Sequence, residues 1–362
     1  MSVPDHDPTE QSTVPSDNLI TVLDEQTAAE SVSLDASERV SLYRTIRTAR
    51  EFDQRMISLQ RQGRIETYAP MTGQEGSQVA TSFALGTRDW LFPTYREHAA
   101  AYAHGVDLTT LIAELRGLCP NRESTRVAPP TIPIATQLPH AVGMAWAATL
   151  RDDDIVVLCH FGDGATSEGD FHEALNMAGV FDVPVVFVCN NNQWAISVPR
   201  ERQTASQTLA QKATAYGFEG IRVDGLDPLA VYSVTQNAIE RARSPPENVK
   251  RPTLIESVQY RFGAHTTADD PERYREERVA NQWRERDPVS RFRNHLQAAN
   301  ICTEDELDTI DEAAKTTVQK AIETAESIEP DPARPFDDVF ARPTDRLQAQ
   351  RHTWQAHSTG GE

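Results

Sequence analysis

The sequence predicts an α/β fold: a doubly wound, mainly parallel sheet with N- and C-terminal helical extensions. Three observations carry that expectation. IVVLC at 155–159 and VPVVFVC at 183–189 are short, apolar and β-branched, as strands buried on both faces must be. Between them a helix-length segment puts Phe171, Leu175 and Ala178 on one face. Two further strand-like runs, GIRVD at 220–224 and TLIESVQ at 253–259, flank a second helical segment over 228–243. Strand–helix–strand units of this spacing make their strands parallel.

Taken in order, residues 1–36 are rich in Pro, Ser, Thr and Asp, show little periodicity, and read as a mobile acidic arm. Residues 37–330 read as the α/β domain with covering helices, and 331–362 as a C-terminal tail. An amphipathic helix is expected from Ala36 to Gln62, with Val40, Tyr43, Ile46 and Ile57 apolar and Arg44, Arg47 and Arg50 as a basic run. MTGQEGSQ at 71–78 is a Gly-punctuated turn leading into a small-residue helix. In WLFPTYREHA at 90–99, Tyr95 and Arg96 follow a proline that fixes the backbone, and an arginine there can grip a phosphate through two donors. TIPIATQLPHAVG at 131–143 reads as a strand entering a tightly packed helix.

Gly162-Asp163-Gly164 then turns the chain sharply, with Thr166 or Ser167 expected to cap the next helix and Gly179 to end it. Asp163 and Asn190-Asn191-Asn192 both leave the carboxyl ends of parallel strands, where open α/β sheets bind ligands. Mg²⁺ takes oxygen ligands in an octahedron and shares its shell with substrate phosphates. Asp163 can offer a carboxylate, Asn192 an amide oxygen and Trp194 a main-chain carbonyl, with two diphosphate oxygens and a water completing the shell. GDG alone is more often a simple capped turn; the Asn run one strand–helix unit away is what points to a ligand. Further on, a helix is expected around 209–216, a charged helix at PERYREER from Asp270-Pro271, and amphipathic helix over 287–327.

Composition narrows the function. The net charge of −19 argues against nucleic acid and anionic membrane surfaces as partners. Only Lys212, Lys250, Lys315 and Lys320 are lysines, and an acidic, Lys-poor surface points to salt adaptation. Cys119, Cys159, Cys189 and Cys302 have no CxxC spacing, so neither zinc nor a disulfide framework is indicated. No apolar signal segment and no run of membrane-spanning length is present, so a cytoplasmic location is expected.

A GDG followed by roughly thirty residues and closed by NN is the thiamine-diphosphate motif. With SEGDFHEALNMAGVF and NNQWAIS around it, the chain resembles the alpha subunit of the decarboxylating component of 2-oxo-acid dehydrogenase complexes, the branched-chain type more closely than the pyruvate type. The resemblance implies thiamine diphosphate and Mg²⁺ as cofactors, decarboxylation of a 2-oxo acid, and acyl transfer to a lipoyl group. It gives Tyr95 and Arg96 to the diphosphate, Gly162, Gly164, Ala165, Asn192 and Ile196 to the cofactor, and Ile134 to a place beneath it. Asp163, Asn192 and Trp194 become the Mg²⁺ ligands. Thr131, Pro133, Thr136 and Gln137 match a K⁺ site of the branched-chain relatives. His265, at the carboxyl end of a strand, matches the active-site histidine, and Thr266 stands where mitochondrial relatives are phosphorylated. The implied partners are a beta subunit in an α₂β₂ heterotetramer and a lipoyl acyltransferase; the chain has room for one doubly wound sheet only, so it should be silent alone. An acetoin dehydrogenase alpha subunit and a non-catalytic cofactor-binding subunit are the alternatives. Residues 117–130 depart from the pattern, being about a dozen residues shorter than in relatives and lacking their histidine word, which leaves substrate identity and activity open.

Overall fold

The computed structural model describes residues 19–358, except 25, 119, 121–124, 332, 334, 335 and 338. A short helix α1 (Gln26–Glu30) and a long one, α2 (Ala36–Arg61), come first, followed by α3 (Glu75–Phe83), β1 (Trp90–Phe92), α4 (His98–Ala103), α5 (Leu108–Leu115) and α6 (Gln137–Arg151). The centre is β2 (Val157–Gly162), α7 (Gly169–Phe181) and β3 (Val185–Asn191), then a small hairpin of β4 (Trp194–Ala195) and β5 (Val198–Pro199). β6 (Glu219–Asp224), α8 (Pro228–Arg243) and β7 (Thr253–Val258) complete the sheet. α9 (Glu277–Arg284), α10 (Pro288–Ala298), α11 (Glu304–Glu326) and α12 (Asp345–Ser358) follow.

The five strands run β1-β2-β3-β7-β6, parallel throughout; the apolar runs predict β2, β3, β6 and β7, whereas the edge strand β1 has no counterpart among them. Alternate residues serve two cores. Val157, Cys159 and Phe161 pack with α6 and α7, whereas Leu158, Val186 and Ile255 pack with α2, α3, α8, α10 and α11. The β2→β3 step and the β6→β7 step run in opposite directions across the sheet, so right-handed crossovers put α7 and α8 on opposite faces. Fully burying each such aliphatic side chain contributes about 1.5–3 kcal/mol.

Several boundaries differ from expectation, and each has a local cause. Of the arm expected over 1–36, residues 1–18 and 25 lie outside the described residues, but the rest of 19–36 is built into the domain. Ile20 pairs with Val223, the main-chain N–H groups of Val22 and Leu23 donate to Asp227 at 2.7 Å, and Val22, Ala29, Val32 and Leu34 are buried. Neither Thr166 nor Ser167 caps α7: Asp163–Ser167 form a 3₁₀ turn in which Thr166 Oγ1 donates back to Asp163 O at 2.9 Å. The helix also runs past Gly179 to a left-handed Asp182, φ 51°. Gly179 is glycine for a different reason, since a Cβ there would lie 2.2 Å from Tyr216 O. No strand leads into α6. Instead the chain lies along β1, Val127 pairing with Leu91 and Thr131 with Thr94, so the described part of residues 117–130 extends the sheet edge.

Towards the C-terminus, Ala210–Tyr216 is 3₁₀ rather than α. PERYREER gives only a 3₁₀ turn, Pro271–Arg273, and α9 starts at Glu277. Tertiary bonds override helix propensity there: Arg275 donates to the carbonyls of Arg261, Phe262 and Gly263, and Tyr274 donates to Asp269. The stretch 287–327 divides into α10 and α11 at Asn300, φ 55°, and Thr303 with Glu306 forms a capping box for the second.

Candidate active site

Gly162 pairs with Asn190, and Asn191 with Val258, so the exits of β2, β3 and β7 stand side by side. They open onto a cavity of about 1020 Å³. Gly162, Asp163, Gly164 and Ala165 form one part of its wall, and Asn192, Trp194 and Ile196 another. A Cβ on Gly164 would fall 2.7 Å from Ala195 Cβ, so glycine is what lets the β2 turn lie against β4. Asp163 is buried, its Oδ2 accepting from Gln203 Nε2 at 2.7 Å, and burial pushes its carboxyl up to about 6. Asn192 Oδ1 accepts from Trp194 N at 3.2 Å, while its Nδ2 donates to Gln74 Oε1 at 3.0 Å. Among the described residues no three His, Cys, Asp or Glu side chains converge, so a cation at Asp163 would have to share its shell with a ligand.

Tyr95, Arg96 and His265 line the same cavity. Arg96 is buried; its Nη1 donates to Pro70 O at 2.6 Å and its Nη2 to His265 O at 3.0 Å. The same Nη2 lies 3.1 Å from His265 Nδ1, and Arg261 Nη1 lies 3.5 Å from it. A guanidinium only donates, so Nδ1 must accept, the ring is neutral, and its proton sits on Nε2. Burial first, then the charges of Arg96 and Arg261, hold this imidazole down to about 4, against the opposing pull of Asp269, which accepts the His265 main-chain N–H at 2.7 Å. The unfolded histidine, near 6.5, takes up its proton first on acidification, so this group costs stability as pH falls from about 6.5 to about 4. ¹⁵N NMR of the imidazole should show the neutral Nε2–H form from pH 5 to 8; a protonation midpoint near the ordinary value would contradict the two-arginine clamp.

Arg261 also donates to Ile196 O at 2.7 Å and to Tyr274 Oη at 2.8 Å. Ile196 needs that anchor, because at φ 54° it is a β-branched residue in left-handed backbone, strain of about 1–3 kcal/mol. Beneath the cavity Asn190 Nδ2 reaches Glu97 Oε1 at 3.0 Å and His160 Nδ1 at 3.1 Å. This makes Nδ1 an acceptor and leaves the Nε2–H of a neutral His160 for Thr81 Oγ1 at 3.2 Å; burial holds that ring down to about 3. Asp53, fully buried on α2, accepts from Tyr68 Oη at 2.8 Å, Met71 N at 2.7 Å and Thr72 Oγ1, and so shapes the loop whose Pro70 carbonyl holds Arg96.

Thr131, Pro133, Ile134 and Gln137 also line the cavity, whereas Thr136 does not; its hydroxyl donates to Pro133 O at 3.0 Å. Gln137 Nε2 donates to His160 O at 2.8 Å, leaving a buried Oε1 with no protein partner. The mouth is apolar and wet: Ile132 is 75% exposed, Ile134 45% and Ile196 57%. Sequence reasoning missed Asp53, Gln74, Glu97, Gln203 and Arg261. For Asp53 and Arg261 a signal existed, a charge where the apolar pattern calls for core.

The dehydrogenase E1 component family model matches residues 43–333. The chain is 43% identical over 321 residues to the 3-methyl-2-oxobutanoate dehydrogenase subunit alpha of Mycobacterium tuberculosis, covering 87% of this chain and 86% of that one. It is 41% identical over 300 residues to the pyruvate dehydrogenase E1 component subunit alpha of Staphylococcus aureus, covering 82% and 80%. Against the corresponding Bacillus cereus subunit the identity is 43% over 289 residues, covering 79% and 77%.

Proposed function

Because the chain belongs to the dehydrogenase E1 component family, we propose that it is the alpha subunit of a 2-oxo-acid dehydrogenase. Its reaction is thiamine-diphosphate-dependent oxidative decarboxylation of a branched-chain 2-oxo acid or pyruvate, with the acyl group passed to a lipoyl carrier. The observation that carries this reading is the convergence of the Asp163 turn and the Asn192–Trp194 segment, from adjacent parallel strands, on a cavity faced by Arg96 and His265.

The residues present fit the coenzyme and its cations. Asp163 is a buried carboxylate that accepts from an amide and makes no ion pair among the described residues, and Gln137 Oε1 is a buried acceptor without a protein donor. Asp163, Asn192 Oδ1 and the Trp194 carbonyl would hold Mg²⁺; Thr131, Pro133, Thr136 and Gln137 would offer oxygens to K⁺. Bound there, thiamine diphosphate would supply the electron sink for decarboxylation. Arg96 and Tyr95 would hold its diphosphate, and the main chain at Gly162, Gly164 and Ala165, which lines the same cavity, would offer it further polar groups. His265, neutral and protonated on Nε2, acts as a hydrogen-bond donor rather than a base. Ile134 and Ile196 supply apolar wall that excludes water once a partner covers the mouth. That partner is a beta subunit in an α₂β₂ heterotetramer, which delivers acyl groups to a lipoyl acyltransferase. Among the described residues no helix is long and apolar enough to cross a membrane.

The relatives' names divide between two substrates, so the test is decarboxylation of a panel of 2-oxo acids by the chain co-expressed with its beta subunit. Turnover on none of them would overturn the proposal. Salt adaptation is part of the same reading: at net charge −19, self-repulsion should weaken the fold in dilute buffer, and the melting temperature should rise with molar KCl. A flat or falling dependence would point to ordinary acidic bias. Thr266 lines the cavity beside His265. A negative charge there would repel the diphosphate and disturb the loop, so Thr266→Glu should cut turnover at least about tenfold, or ~1.4 kcal/mol in the barrier. Unchanged turnover would remove this loop from the mechanism.

A further inference from the structure

We propose that Gln74 is a positioning residue for the metal site, fixing the Asn192 amide so that its oxygen, not its nitrogen, faces the cation. The inference rests on the assignment of Asn192 as a metal ligand and adds the residue that orients it.

An asparagine amide has nearly the same shape after a flip, so a ligand asparagine needs its neighbours to decide which atom points where. Here two contacts decide. The Trp194 main-chain N–H can only donate, so the atom 3.2 Å from it must be Oδ1. Nδ2 then faces Gln74 at 3.0 Å, and Gln74 must answer with Oε1. Oδ1 keeps a second lone pair for a cation beside Asp163.

Gln74 is built for this task. It is fully buried at the start of α3, its main-chain N–H donating to Met71 O at 2.8 Å and its carbonyl accepting from Gln78 N at 3.0 Å. It belongs to neither strand that carries a ligand, and it faces the cavity. Among the described residues its Nε2 has no partner, and the contact with Asn192 is the one hydrogen bond its side chain makes. Without the Gln74 acceptor, the buried Nδ2 loses its only partner. The Trp194 N–H alone is then left to hold the amide, and its oxygen is less firmly kept toward the cation.

The test uses the complex of this chain with its beta subunit, and reads the Mg²⁺ concentration that half-saturates thiamine-diphosphate binding, alongside turnover. Gln74→Met keeps the length and removes the acceptor; Gln74→Glu keeps an oxygen where Oε1 stands. Gln74→Met should raise the half-saturating Mg²⁺ about 10–100-fold, the usual effect of losing an outer-shell partner, with turnover recovering at high Mg²⁺. Gln74→Glu should stay within a few-fold of wild type. Wild-type Mg²⁺ dependence in Gln74→Met, or equal loss in both variants, overturns the proposal. Should Gln74→Met fail to fold, Gln74→Ser, too short to reach Asn192, takes its place. Asp163→Ala separates the two levels: if it too binds Mg²⁺ and coenzyme like wild type, the site assignment itself fails, whereas its loss beside an unaffected Gln74→Met sinks the positioning role alone.

Discussion

Asp163→Ala should abolish Mg²⁺-dependent thiamine-diphosphate binding and leave the fold intact. Asp163 is the one carboxylate in the proposed metal shell, and coenzyme diphosphate and cation each need the other for charge balance. Loss of an outer-shell partner already weakens metal binding about 10–100-fold, so loss of the charged ligand should exceed that. The fold should survive because the carboxylate is a burden without its cation. Burial raises its pKa to about 6, so above that pH the folded chain holds a desolvated charge that alanine removes. Calorimetric titration and a thermal melt of the same variant check both halves. Coenzyme affinity within a few-fold of wild type would sink the site, and a melting temperature far below wild type would show that Asp163 is structural.

The chain by itself should show no decarboxylation with thiamine diphosphate, Mg²⁺ and K⁺ supplied, and should gain it when a beta subunit is co-expressed. The reaction needs a carboxylic acid against the coenzyme's aminopyrimidine ring, which thiamine enzymes draw from a second α/β domain. Among the described residues there is one parallel sheet, and all five of its strands belong to the domain that carries Asp163. Glu97, the buried glutamate of the cavity, is already engaged by Thr94 and Asn190. Ile132, Ile134 and Ile196 leave the cavity's lining apolar and exposed, a surface that a partner would cover. Turnover by the purified chain alone would show that it holds a complete active site.

The central strands were legible because a strand buried on both faces must be apolar throughout, and the sheet is buried on both faces. The placing of Asp163 and Asn192 at neighbouring strand exits was legible for a related reason: each directly follows such a strand. What the sequence hid depended on distant partners. Gln74 meets Asn192 across 118 residues, and Gln203 meets Asp163 across 40, so neither spacing has a local pattern. The helix expected at PERYREER was lost to the carbonyls that Arg275 serves and the Asp269 carboxylate that Tyr274 serves, a demand made by the loop around His265 and not by the segment's own composition. Arg261 reads as a lone charge after a strand. Only the fold reveals that it meets His265, Ile196 and Tyr274 together.

The central claim, that the exits of β2 and β3 hold the metal of a coenzyme diphosphate, is tested most directly by anomalous diffraction. Crystals of the complex with the beta subunit, grown with thiamine diphosphate and with Mn²⁺ replacing Mg²⁺, should show one anomalous peak among the Asp163 carboxylate, the Asn192 side-chain oxygen and the Trp194 carbonyl. Coenzyme density with the Mn²⁺ peak on other residues, or no coenzyme in this cavity at all, would contradict it.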